Sequence, residues 1–217
     1  MKMFHKSSKY FVSNVVIQEA QKVVHEALIE EIHQSFLEKY PHVGECEWSQ
    51  FHNEIINEDD AENPYIVDIV ASADMGWQKR SSGQKYDSPS GHMFLIGAGT
   101  DKVIDFELKC TSCSICHNAE KKGKHPRAHH CWKNFDGHAK AMEATAVAEL
   151  VSRISERFHG KARVSTVIAD DDSSMRSHCS HAGGLPESVH EPIFLADPSH
   201  RCKIIGKPLF KLAQKKI

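Results

Sequence analysis

YIVDIVASAD (residues 65–74) and RVSTVIADDD (residues 163–172) are the two stretches whose reading decides the fold. Each is rich in Ile, Val and small residues, as a strand inside a sheet is, and each closes on acid. Asp74 ends the first, and Asp170, Asp171 and Asp172 end the second. A strand-end aspartate taken alone is most often a turn or cap residue. Two such ends on neighbouring strands allow more. Hard divalent cations take oxygen ligands, and paired carboxylates can hold Mg²⁺ or Mn²⁺ against a phosphodiester. Three adjacent carboxylates repel one another in an apolar setting, which favours contact with solvent or a cation over burial. Asp170 follows the apolar run directly and is the first choice as ligand, with Asp172 the close second.

Between and around these runs the pattern predicts further elements. HMFLIGAGT (residues 92–100) and KVIDFELKC (residues 102–110) read as two strands joined by a tight turn near Thr100 and Asp101, after a loop over residues 79–91. Residues 138–158 read as a helix, with Ala141, Met142, Ala144, Ala148, Val151, Ile154 and Phe158 on one broad face and Gly160 beyond its end. A Gly- and Pro-containing loop over residues 180–192 precedes IFLA (residues 193–196), a short fifth strand. Upstream, Val16, Ala20, Val23, Val24, Ala27, Leu28, Ile32 and Phe36 mark a helix over residues 14–40, with Pro41 after it. The acidic stretch NEDDAENP (residues 57–64) reads as a linker. The division is a helical segment with its linker over residues 1–64, then an α/β core over residues 65–217.

Composition narrows the class. The chain has 217 residues, 40% hydrophobic and 26% charged, which fits a soluble globular core and not a disordered one. No apolar run approaches the roughly 20 residues of a membrane span, and MKMFHKSSKYF at the start lacks the apolar centre of a secretory signal. A net charge of −2 argues against a nucleic-acid glove over the whole surface but leaves room for local basic patches. Lys79, Arg80 and Lys85 follow Asp74, and Arg201, Lys203, Lys207, Lys211, Lys215 and Lys216 crowd the last seventeen positions. Such residues flanking a carboxylate site would neutralise DNA phosphates, although a charge run is more often a solvated face.

Four of the seven cysteines fall between Cys110 and Cys131. An odd, clustered set without a secretory signal points to metal rather than a disulfide frame. Cys113-x₂-Cys116 followed by His129-x-Cys131 supplies the thiolates and imidazole of a structural Zn²⁺ shell, with Cys110, His117, His125 and His130 as competing ligands. Residues 110–134 lack apolar periodicity, so they read as an insertion held by that metal. Glu143, early in the long helix, would face the acids if the helix packs beside the first strand, and is otherwise an ordinary exposed Glu. Asp197 and His200 form a D-x₂-H step after the fifth strand that would support the site, against the plain alternative of an Asp-Pro turn.

The order strand–Asp, hairpin, helix, strand–Asp resembles an RNase H-like core, a mixed sheet with flanking helices and here a zinc-knuckle-like insertion. The residues also resemble a family. ADMGWQKRSSG (residues 73–83) is similar to the D-G-x-W-x-K-R block of Mutator-like transposases, with Met75 in place of the usual Gly. The likeness continues through CSIC (113–116), HHCWKNFDGHAKAME (129–143), IADDDSSMR (168–176) and ADPSHR (196–201). The resemblance implies a cut-and-paste DNA transposase with a DDE or DDD triad and two divalent cations. Asp74 would be its first carboxylate and Asp170 or Asp172 its second. Cys113, Cys116, His129 and Cys131 would be its zinc positions, and Lys79, Arg80, Arg201 and Lys203 DNA contacts. It further implies transposon-end and target DNA as partners, action in a nucleus and assembly as a homo-oligomer. The family's third carboxylate lies downstream of the D-x₂-H block, so the expectation is a core truncated before that acid. Two rival readings stand beside it: a non-catalytic, zinc-stabilised DNA- or protein-binding module, and an RNase H-like nuclease that uses Glu143 as its third acid.

Overall fold

The run that ends on Asp74 becomes the longest strand of a computed structural model that describes residues 4–57, 64–78, 88–170, 173–198 and 202, with side chains from residue 16 onward. Strand β1 (Val67–Trp77) alternates as a half-covered strand must. Val67, Ile69, Ala71, Ala73 and Met75 are buried, while Val70 and Asp74 face outward. β1 pairs antiparallel with β2 (Ser90–Gly97), which pairs antiparallel with β3 (Val103–Cys110). On its other side β1 runs parallel to β4 (Ala162–Ala169), and β4 runs parallel to β5 (Ile193–Ala196). The order is β3-β2-β1-β4-β5, with β2 alone opposed to the rest. This is the mixed RNase H-like sheet that the sequence pattern predicts.

One difference concerns Asp74. The sequence reading ends the strand there, but β1 runs three residues further because β2 keeps pairing, as far as Trp77 opposite Gly91. Gly91 leaves room for the side chains of that extension. A Cβ at that position would lie 2.4 Å from Met75 Cε and 3.0 Å from the Trp77 ring.

Five helices accompany the sheet among the described residues. α4 (Ala139–Arg157) begins at His138, whose Nδ1 accepts the Ala141 N–H at 3.2 Å. Its inner face of Met142, Ala146, Val147, Leu150, Val151 and Ile154 packs into the same core as the covered residues of β1. Fully burying one such large aliphatic side chain contributes about 1.5–3 kcal/mol. Its polar flank is clamped to β3: Arg153 meets Asp105 at 3.2 Å and also pairs with Glu107, and the buried Lys109 joins Glu107 to Glu149.

α1 (Phe4–Lys39) starts ten residues before the apolar periodicity does. Leu28, Ile32 and Phe36 are wholly buried in the shared core. Glu31, 1% exposed, works as a cap for the β2–β3 turn. Its carboxylate accepts the N–H groups of Gly99 and Thr100 and the Thr100 hydroxyl at 3.0, 2.9 and 2.6 Å. α2 (Glu45–Asn57) is absent from the sequence reading, because its polar, acidic composition hides three anchors. Trp48, Phe51 and Ile55 sit at helical spacing and pack with Phe36, the two phenyl rings stacking at 5.1 Å. The helical segment therefore shares one hydrophobic core with the sheet. Residues 58–63, most of the acidic stretch, lie outside the described residues.

After β4 come α5 (Ser173–His178) and a 3-10 turn (His181–Gly183), which place Met175, Cys179, Leu185 and Val189 in the core. The opposite face of the sheet is barer, with Ile193 and Leu195 of β5 and Val70 of β1 exposed. Among the described residues no helix is long and apolar enough to cross a membrane.

Candidate active site and metal centre

Sheet register decides which acids can meet. Ser72 of β1 stands opposite Ile168 of β4, so continuing that parallel register by two residues sets Asp170 beside Asp74. Neighbouring strands lie about 4.8 Å apart, and register partners point to the same face. Asp170 follows β4 directly, as the sequence predicts, and both carboxylates are exposed. Ala169 pairs with Ala196, and the Asp197 N–H donates to the Ala169 carbonyl at 2.9 Å. Asp197 thus stands next in line, half-buried, at the same end of the third parallel strand. Glu143 is half-buried in the second turn of α4. Asp172, His200, Lys79, Arg80, Lys85, Arg201 and Lys203 lie outside the described residues. Adjacent exposed carboxylates at strand ends are a fitting place for a hard cation, although no three acids among the described residues converge into a closed ligand set.

The Cys/His insertion does converge. It leaves β3 at Cys110 and turns into α3 (Ser114–Glu120), so that Cys113 precedes the helix and Cys116 lies in its first turn. Cys113 Sγ is 3.2 Å from His129 Nε2, and Cys116 Sγ is 3.4 Å from that nitrogen and 3.6 Å from Cys131 Sγ. All four ligand atoms, those of Cys113, Cys116, His129 and Cys131, lie within 4.8 Å of one another. A tetrahedral zinc with bonds of about 2.3 Å to sulfur and about 2.0 Å to nitrogen requires ligand–ligand edges of roughly 3.5–3.8 Å. The donors fit such an ion. The outer contact fits as well: His129 Nδ1 meets the Arg127 carbonyl at 2.7 Å, which makes Nδ1 the protonated nitrogen and turns the Nε2 lone pair towards the sulfurs.

A model of the Mutator-like transposase family matches residues 7–217. The chain belongs to that family. No curated protein and no solved structure matches it. In this Mutator-like chain the match spans the helical segment, the sheet and the Cys/His insertion alike.

The electrostatics of the insertion follow from crowding. The Cys113 thiol is held down to about 6, first by the Cys116 N–H, against partial desolvation, and then by the Ile115 N–H and His129. The Cys116 thiol is pushed up to about 11, first by Cys131 beside it, then by desolvation and by Cys113. His129 is raised by its bond to the Arg127 carbonyl and by the neighbouring sulfurs. Three sulfurs this close cannot all ionise without a cation among them, and a bound Zn²⁺ would reconcile them.

The competing ligands are resolved by position. Cys110 Sγ turns away to the Ser112 carbonyl at 3.1 Å, His130 packs on Trp132 at 4.7 Å, and His117 and His125 are exposed. One positioning residue escapes sequence reasoning. Asn134 accepts the Cys110 N–H at 2.7 Å and donates to the Leu108 carbonyl at 2.6 Å, which closes the base of the insertion. An isolated Asn among Cys and His carries no pattern that would single it out.

Proposed function

We propose that this chain is the core of a DNA transposase that cleaves phosphodiesters and transfers strands with divalent cations. The observation that carries the reading is the β1–β4 register, which brings Asp74 and Asp170 to one end of adjacent parallel strands in a Mutator-like chain. Asp74 and Asp170, or Asp172 in its place, would hold Mg²⁺ or Mn²⁺. Such ions activate an attacking oxygen and stabilise the leaving one. Asp197 and His200 would support the second acid, and Lys79, Arg80, Arg201 and Lys203 would bind DNA phosphates. Cys113, Cys116, His129 and Cys131 would hold a structural Zn²⁺, and the complex would act on nuclear DNA as a homo-oligomer. On this reading residues 1–64 form a helical segment and residues 65–217 the RNase H-like core.

The test is Mg²⁺- or Mn²⁺-dependent nicking of supercoiled DNA, wild type beside Asp74→Ala. Metal-dependent nicking that disappears in the variant supports the reading. No cleavage by a folded, zinc-loaded wild type that still binds DNA would sink it in favour of a non-catalytic DNA-binding module. Cleavage of RNA–DNA hybrids abolished by Glu143→Gln would instead point to a nuclease using that acid.

A further inference from the structure

We propose that the basic turn on the Cys/His insertion, Lys121, Lys122, Lys124 and Arg127, is a docking surface for the DNA backbone beside the carboxylate end of the sheet. The inference rests on the transposase reading and adds a surface that the sequence motifs do not assign.

Charge pairing is the first observation. Many cations elsewhere in the described structure sit on carboxylates: Lys39 and Arg163 on Asp68, Lys102 on Glu30, Lys109 on Glu149, Arg153 on Asp105. Within the insertion Lys133 pairs with Asp136 at 2.5 Å. Lys121, Lys122, Lys124 and Arg127 are all exposed and make no ion pair among the described residues. Four unneutralised cations within seven positions stand out in a chain of net charge −2.

The second observation is that the patch is built. Gly123, at φ +59°, ends α3 in a left-handed turn: its N–H donates to the Glu120 carbonyl at 2.9 Å and the Lys124 N–H to the Ala119 carbonyl at 3.0 Å. Arg127 lies two residues before His129, whose ring is anchored on the Arg127 carbonyl. The cations are thus carried between two halves of one metal-ligand set, on backbone that a bound ion would hold in place. Trp132, 41% exposed and packed on His130, adds a flat aromatic to the same insertion, and nucleic-acid surfaces use both charge and ring.

Place in the fold is the third. Asp74 stands opposite Phe94, and Phe94 opposite Phe106, so β3 passes the acids two strands away. β3 ends four residues later at Cys110, where the insertion begins, on the same end of the sheet as Asp74 and Asp170. Two strand spacings across and four residues along β3 put the start of the insertion roughly 16 Å from Asp74, the rise of about five base pairs along a duplex. A duplex with a phosphodiester at the acids would lay neighbouring phosphates against this turn.

The test uses the zinc-loaded full chain and a fluorescein-labelled DNA duplex, read by anisotropy across a salt series. Each phosphate contact contributes about 0.9 to the slope of log K against log salt, so Lys121→Gln, Lys122→Gln, Lys124→Gln and Arg127→Gln together should lower the magnitude of that slope by about 3.6. Measured zinc content and an unchanged far-ultraviolet spectrum report that the variant is folded. The charge-preserving set Lys121→Arg, Lys122→Arg, Lys124→Arg and Arg127→Lys should keep the slope. An unchanged slope in the glutamine variant overturns the proposal. So does a patch-dependent affinity for polyglutamate that matches the affinity for DNA, which would mark an acidic protein as the partner. Asp74→Ala separates the two readings. Asp74-dependent nicking with an unchanged salt slope removes the patch and keeps the transposase. A fallen slope without nicking keeps the patch and removes the catalytic reading.

Discussion

The Cys/His insertion and the carboxylate end of the sheet are both candidate metal sites, yet they are built on opposite plans. The insertion gathers its ligands from nineteen consecutive residues, Cys113 to Cys131, and closes them within 4.8 Å. The acids come from Asp74 and Asp170, separated by almost half the chain, and stand at the same end of the sheet only because β1 and β4 run side by side. A site made by local spacing holds its shape through its own ion. A site made by register is only as good as the core behind it, and here that core includes α1 and α2 as well as α4.

Four changes would break or sharpen this contrast. The largest effect belongs to Asp74→Ala, which should lower metal-dependent nicking by about 10³-fold, the scale of several kcal/mol of transition-state stabilisation. Zinc content and melting temperature should stay close to wild type, because the side chain is exposed and makes no core contact. Cys116→Ser comes next and acts on the other plan. It should abolish stoichiometric zinc, measured by inductively coupled plasma analysis. Amide protection should collapse over residues 111–134 in hydrogen exchange while β1 and β4 keep theirs. Loss of protection across the whole sheet would show that the two regions are not independent.

Glu31→Ala tests the core behind the acids. It strips the cap from the Gly99 and Thr100 N–H groups and should cost about 2 kcal/mol in denaturant unfolding, with zinc binding unchanged. The smallest effect belongs to Asp68→Asn, about 1 kcal/mol. Partial burial disfavours the Asp68 carboxylate, but hydrogen bonds from Lys39 and Arg163 outweigh it and hold its pKa below the usual range. A depressed folded pKa means that the stabilisation is present above the ordinary aspartate value and is lost as pH falls through the folded one. Wild type and Asp68→Asn should therefore differ at pH 7 in unfolding titrations, begin to approach each other at about pH 4 and converge only once pH falls below the depressed folded value.

The sequence by itself determined the zinc-type cluster and the strand order's raw material. Ligand spacing in Cys113, Cys116, His129 and Cys131 is a property of a short chain segment, and so is the period of two in β1 or of 3.6 in α4. The choice among Cys110, His117, His125 and His130 was beyond it, since a competing ligand is excluded by where its side chain turns, as Cys110 does towards Ser112. α2 was hidden because three apolar anchors in thirteen mostly polar residues form a face only once Phe36 is there to meet it. Asp74 read as a strand end, yet pairing with β2 carries the strand on to Trp77, where Gly91 leaves room for the Met75 and Trp77 side chains. The adjacency of Asp74 to Asp170 was decided by tertiary structure alone. Each run shows locally that it is a strand, but which strands pair, and in what register, depends on free energy gained only when the whole core closes.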